Sequence, residues 1–108
     1  MTEPCELTAT TARRLIGRKR LSPIELLESC IARIEMTNAS VNAVVATCYE
    51  RARDEARAAT DAVLHGDALG PLHGLPLGVK DLQDTAGLLT TCGNVRLRGH
   101  VPAADNAA

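Results

Sequence analysis

The stretch Pro71-Leu-His-Gly-Leu-Pro-Leu-Gly-Val-Lys-Asp81 holds the residues best suited to chemistry. In an extended chain successive side chains alternate, so Leu75, Leu77 and Val79 point one way and Pro76, Gly78 and Lys80 the other. Lys80 then projects from a face cleared of bulk, and Gly78 leaves room for a backbone or a ligand to approach. A lysine stripped of water loses its charge more readily, which makes it a usable base. Bringing its pKa from ~10.4 to ~7 requires on the order of 4–5 kcal/mol of differential destabilisation of the ammonium form. Only a closed, mostly apolar site supplies that much. The same spacing also suits a plain ion pair of Lys80 with Asp81 or Asp84 at a strand end.

Metal chemistry has no comparable support. Cys5, Cys30, Cys48 and Cys92 are scattered without a C-x-x-C pair, and His65, His73 and His100 do not join them in zinc-like spacing. No cofactor and no metal is expected. Cys92 has no basic neighbour to lower its pKa and reads as a buried small residue. The N-terminus (Met1-Thr-Glu-Pro-Cys-Glu) is acidic and lacks an apolar export core, so the thiols are expected to stay reduced in the cytoplasm. No stretch approaches the ~20 apolar residues that span a bilayer, so no membrane partner is expected.

The elements that must position Lys80 are read from periodicity and caps. Thr8 caps a short helix carrying Ala9, Ala12, Leu15 and Ile16, with Gly17 near its end. Ser22-Pro23-Ile24-Glu25 puts Ser at the N-cap, Pro at N1 and Glu at N3, a capping box that Leu21 and Leu26 close as a hydrophobic staple. Ile24, Leu27, Ile31 and Ile34 follow at helical spacing, and Asn38 reads as the terminator, so the N-terminal helices span about 8–38. Val41, Val44 and Val45 predict a strand over about 41–47. A longer helix over about 49–66 closes on Gly66 at C′, with Tyr49, Ala52, Ala56, Ala59 and Val63 along its inner seam. Glu50/Arg53 and Asp54/Arg57 are spaced to pair on its outer face. A Gly-rich region over about 71–102 follows, with strands expected at 75–80 and 88–91. Helices followed by short strands predict a layered α/β domain.

The chain has 108 residues, 12 Lys+Arg against 13 Asp+Glu, hence a net charge of −1. That length suits one small domain. Yet it has no Phe, no Trp and one Tyr, so the core must be built from Leu, Ile, Val and Ala. Near-neutral charge argues against a nucleic-acid partner. The one basic run, Arg13, Arg14, Arg18, Lys19 and Arg20, reads as a solvated helix end.

Several motifs then fall in a recognisable order: Leu21-Ser-Pro-Ile-Glu-Leu, Ile31-Ala-Arg-Ile-Glu, Val41-Asn-Ala-Val-Val, Pro71-Leu-His-Gly-Leu-Pro, Val79-Lys-Asp, and Asp84-x-Ala-Gly-x-x-Thr-Thr-x-Gly93. Across about residues 8–102 the chain resembles the opening part of the amidase signature family. The resemblance implies an α/β fold, the N-terminal portion of an α/β/α sandwich with a mixed sheet, that sheet being incomplete here. It implies hydrolysis of a carboxylic amide by a Ser–cis-Ser–Lys triad whose lysine matches Lys80. That lysine holds and relays the proton which the bridging serine takes from the nucleophile. Ser22, Ser29 and Ser40 are the only serines, and none lies in the Gly/Ser-rich stretch where the family keeps its nucleophile and oxyanion hole. The chain alone is therefore expected to be inactive. The implied partners are a small-molecule amide in the complete enzyme and either the C-terminal remainder or a second copy of the chain. An amidotransferase A-subunit-like role is an alternative, as is a non-catalytic helical interaction module. Leu82-Gln83-Asp84 stands where the family commonly has Asn-Ile-Asp, and Asn94 where it often has Ser. His73 matches a family position and reads as a turn or packing residue.

Overall fold

The computed structural model describes residues 2–106. They fall into two units, residues 2–44 with 49–76 and residues 45–48 with 77–106. The first unit holds a 3-10 turn (Pro4–Glu6) and helices α1 (Ala9–Gly17), α2 (Pro23–Val41) and α3 (Tyr49–Leu64). The second holds a 3-10 turn at Val95–Leu97.

Local chemistry accounts for where each helix starts. Thr8 Oγ1 accepts the Thr11 N–H at 3.2 Å and Ser22 Oγ accepts the Glu25 N–H at 3.1 Å, each satisfying an orphan donor of the first turn. Glu25 completes the Ser22 cap by accepting the Ser22 hydroxyl at 3.0 Å. The ends differ more from expectation. Gly17 is the last residue of α1, but the left-handed position falls on Lys19, at φ 59°. Lys19 and Arg20 N–H close back on the Ile16 and Leu15 carbonyls in a Schellman motif. At α3, Gly66 takes that position as expected, with φ 76° and the same pair of closing bonds to Val63 and Ala62.

The core of the first unit is Ala12, Ile16, Leu21, Leu26 and Val63, with Leu7, Leu15, Cys30, Leu69 and Leu75 against it. Ile16 is fully buried. Leu21 and Leu26 both lie in that core, as the staple requires. Along the α3 seam Val63 is buried, and Tyr49, Ala52, Ala56 and Ala59 are half-buried. Arg53 ties α3 to α2 by gripping both Glu28 oxygens, at 2.6 and 3.3 Å, while also reaching Glu50 at 2.9 Å. The Pro4–Glu6 turn docks on α2 through Cys5 N–H to Ser29 Oγ (3.0 Å) and an Arg33–Glu6 ion pair (3.1 Å).

The expected α/β architecture with a mixed sheet is not what the chain forms: the described residues are helices, turns and extended segments, with no strand. Each predicted strand fails for a physical reason. In 41–47, Val41 is the last residue of α2, and Asn42 turns the chain out at φ 49°. Asn38, read as a terminator, instead holds the departing chain: its amide donates to the Val44 carbonyl at 2.8 Å and accepts the Val44 N–H at 2.9 Å. Both main-chain groups that a ladder would use at Val44 are thus taken by a side chain. Residues 75–80 run without helix or turn, but no neighbouring segment pairs with them in a ladder. Residues 84–90 lie antiparallel to 100–106, through Asn106 N–H to Asp84, Gly87 N–H to Pro102 and Thr90 N–H to His100, each at 2.9 Å. None of these bonds is reciprocated by its partner, and an antiparallel ladder requires residues that exchange both.

Candidate active site

Lys80 sits in the second unit on the extended segment that begins at Leu77, and it is exposed. Leu77 is 85 % exposed and Val79 49 %, so this segment does not bury an apolar face. Immediately after Lys80 the chain turns, because the Lys80 carbonyl accepts both the Leu82 N–H (2.7 Å) and the Gln83 N–H (3.1 Å). The ion pairs of the described residues do not include the Lys80 ammonium. Clefts of about 130 and 210 Å³ open on the first unit, and Lys80 lines neither.

The two carboxylates nearest Lys80 along the chain are engaged elsewhere. Asp81 Oδ1 accepts the Thr91 N–H at 2.7 Å and Oδ2 accepts the Thr91 hydroxyl at 2.6 Å. The hydroxyl bond first, and then the Thr91 main-chain bond, hold the Asp81 carboxyl below the usual aspartate range. Asp84 Oδ1 lies 3.4 Å from His100 Nε2, and its carbonyl accepts the Asn106 N–H. Sequence reasoning misses the Asp81–Thr91 contact. Its signal is the Thr90-Thr91-Cys92-Gly93 run, a turn with a hydroxyl and a glycine, whose target lies ten residues back.

Other sequence candidates find structural roles. His73 Nε2 donates to the Ala59 carbonyl at 2.9 Å from a turn, so it packs and anchors as expected. Ser22 caps α2, Ser29 receives Cys5, and Ser40 lies exposed in the last turn of α2 instead of in a turn before a strand. Cys92, expected to be buried, is exposed, because it sits in a turn at φ 53°. Asn94 accepts the Arg96 N–H at 2.9 Å and so caps the Val95–Leu97 turn, a task serine performs equally well. Gln83 accepts the Asn106 amide at 2.7 Å. No group of three or more His, Cys, Asp or Glu among the described residues could hold a metal ion. No described helix is long and apolar enough to cross a membrane.

The arrangement therefore presents an unpaired lysine on a segment anchored through its neighbouring carboxylate. A profile of the family described as Amidase matches residues 25–108. This chain belongs to the amidase signature family. Among its curated relatives, the glutamyl-tRNA(Gln) amidotransferase A subunit of Desulfosudis oleivorans is 41 % identical over 103 residues, covering 95 % of this chain and 21 % of the relative. The corresponding protein of Roseiflexus castenholzii is 37 % identical over 108 residues, all of this chain and 22 % of the relative. A solved bacterial aryl acylamidase of the amidase signature family superposes with a TM-score of 0.85 at 34 % identity, covering 91 % of this chain and 20 % of that one. A further solved chain superposes at TM-score 0.87 and 33 % identity, over 92 % of this chain and 22 % of that one. It comes from a vestigial protein complex bearing on the origins of an s-triazine catabolic enzyme. This amidase signature chain thus spans about a fifth of the length of the relatives it matches.

Proposed function

We propose that the chain supplies the proton-carrying lysine, Lys80, of a site that cleaves carboxylic amides. The observation that carries this reading is an exposed Lys80 ammonium in no ion pair of the described residues, the two carboxylates that follow it, Asp81 and Asp84, being engaged by Thr91 and His100. In this reading Lys80 relays a proton for a bridging cis-serine and a serine nucleophile of the Ser–cis-Ser–Lys triad. Neither serine role falls to Ser22, Ser29 or Ser40, so the 108-residue chain by itself turns over no amide. To act as a base near neutral pH, Lys80 must be enclosed by apolar surface. The substrate is a small-molecule amide. The setting is cytoplasmic, where the cysteines remain thiols.

The test is a chimera in which this chain replaces the matching fifth of the aryl acylamidase it superposes on. Lys80→Ala in that chimera should lower kcat/KM toward an aryl acylamide by about 10²–10⁴, with an unchanged circular dichroism spectrum. Unaltered rates would exclude Lys80 from proton transfer. The identity to amidotransferase A subunits favours a second reading, in which water still takes the acyl group and the ammonia released is delivered to a second acceptor instead of to solvent.

A further inference from the structure

We propose that Asp81 is a positioning residue for Lys80, acting through its grip on Thr91, the first residue of the turn at 91–94. Cys92 and Gly93 lie at φ 53° and 68°. Two consecutive left-handed residues are the centre of a type I′ turn, closed here by the Asn94 N–H on the Thr91 carbonyl at 2.9 Å. Asp81 takes the Thr91 N–H at 2.7 Å and the Thr91 hydroxyl at 2.6 Å. A non-glycine residue at positive φ is disfavoured by its Cβ, so Cys92 needs a compensating contact to stay there. The Asp81 grip on Thr91 and the Asn94 bond that closes the turn provide it. Through this grip the residue next to Lys80 is tied to a loop ten positions on, while the Lys80 carbonyl is tied by Leu82 and Gln83. The lysine main chain is thus held by two ties on its C-terminal side, which restricts where the side chain can start from. This inference rests on the reading of Lys80 as the proton carrier, but the clamp is measurable without turnover.

The measurement is nuclear magnetic resonance on the 108-residue chain. The Thr91 amide proton should titrate with a midpoint below the ordinary aspartate value of 3.8. The Lys80 backbone order parameter should stand near ~0.85. Asp81→Asn should bring it to about 0.6 or lower and speed Thr91 amide exchange about tenfold or more, while α2 amides keep their protection. Thr91→Val should raise the Asp81 midpoint toward the ordinary value, and Thr91→Ser, which keeps the hydroxyl, should restore it. A midpoint at or above 3.8 in the unchanged chain overturns the clamp. So does an unchanged Lys80 order parameter in Asp81→Asn. Lys80→Ala should leave the titration intact, so failure of the lysine's role in turnover and failure of the clamp are read separately.

Discussion

Lys80 and Asp81 are adjacent and oppositely charged, yet they are not an ion pair. The reason is the quality of the alternative: Thr91 offers Asp81 two donors at short range, and Thr91 cannot serve a lysine in the same way. Side-chain fate here is decided by which partner satisfies more of a group's hydrogen-bonding capacity. The same rule separates the cysteines. Cys30 is half-buried against the core, where burial first and the neighbouring Cys5 second push its thiol above the usual 9.0, whereas Cys48 and Cys92 are exposed. Cys30 should therefore be alkylated by iodoacetamide at pH 8 about tenfold more slowly than either exposed cysteine, read by peptide mass spectrometry. Equal rates would mean that the Pro4–Glu6 turn does not stay docked. The exposure of Cys92 is not legible in spacing, because it follows from a backbone angle.

Helix starts are legible in the sequence because their causes lie within four residues. Ser22→Ala should lower the stability of the first unit by about 1 kcal/mol in urea denaturation, the usual loss of an N-cap. Turns carry a sharper contrast. A Cβ at Gly74 would meet Pro23 Cγ at 2.8 Å and Ile16 Cδ1 at 3.2 Å with φ at 80°, whereas one at Gly66 would meet nothing within 4 Å at φ 76°. Gly66→Ala should thus cost only the backbone strain, about 1–2 kcal/mol. Gly74→Ala should cost more, since the fully buried Ile16 and Pro23 must shift as well. The ties between elements depend on pH. Hydrogen bonds from Arg53 and Arg33 hold the Glu28 and Glu6 carboxyls below their ordinary 4.5. With the folded pKa depressed, their contribution is complete above about pH 4.5 and fades as pH falls through the lowered values. Acid titration followed by circular dichroism should show this loss, and Glu28→Gln should flatten it. Strands are not legible in the same way, because an apolar run of four to six residues looks the same whether or not a partner strand meets it.

At the scale of the molecule, the absence of Phe and Trp produces a first unit whose core rests on a few aliphatic side chains around Ile16. Ile16→Ala should remove about 2–5 kcal/mol, enough to unfold a unit with so small a core at room temperature, as seen by loss of helical circular dichroism. The second unit buries Thr90 and Pro102 but exposes Leu77, Leu82, Val95 and Val101. Its amides at 77–90 should exchange faster than those of α2, because few apolar contacts protect them.

The sequence by itself determined the helices, the N-caps of α1 and α2, the aliphatic core and, through the order of its motifs, membership of the amidase signature family. These are set by interactions a few residues long or by motif order, both of which are written along the chain. Only the tertiary structure decided that the extended segments form no ladder, that Asn38 holds Val44, that Arg53 reaches Glu28 and that Asp81 serves Thr91 instead of Lys80. Each is a choice among competing partners. Such a choice depends on which donor arrives at hydrogen-bond distance, and separation along the chain does not encode that.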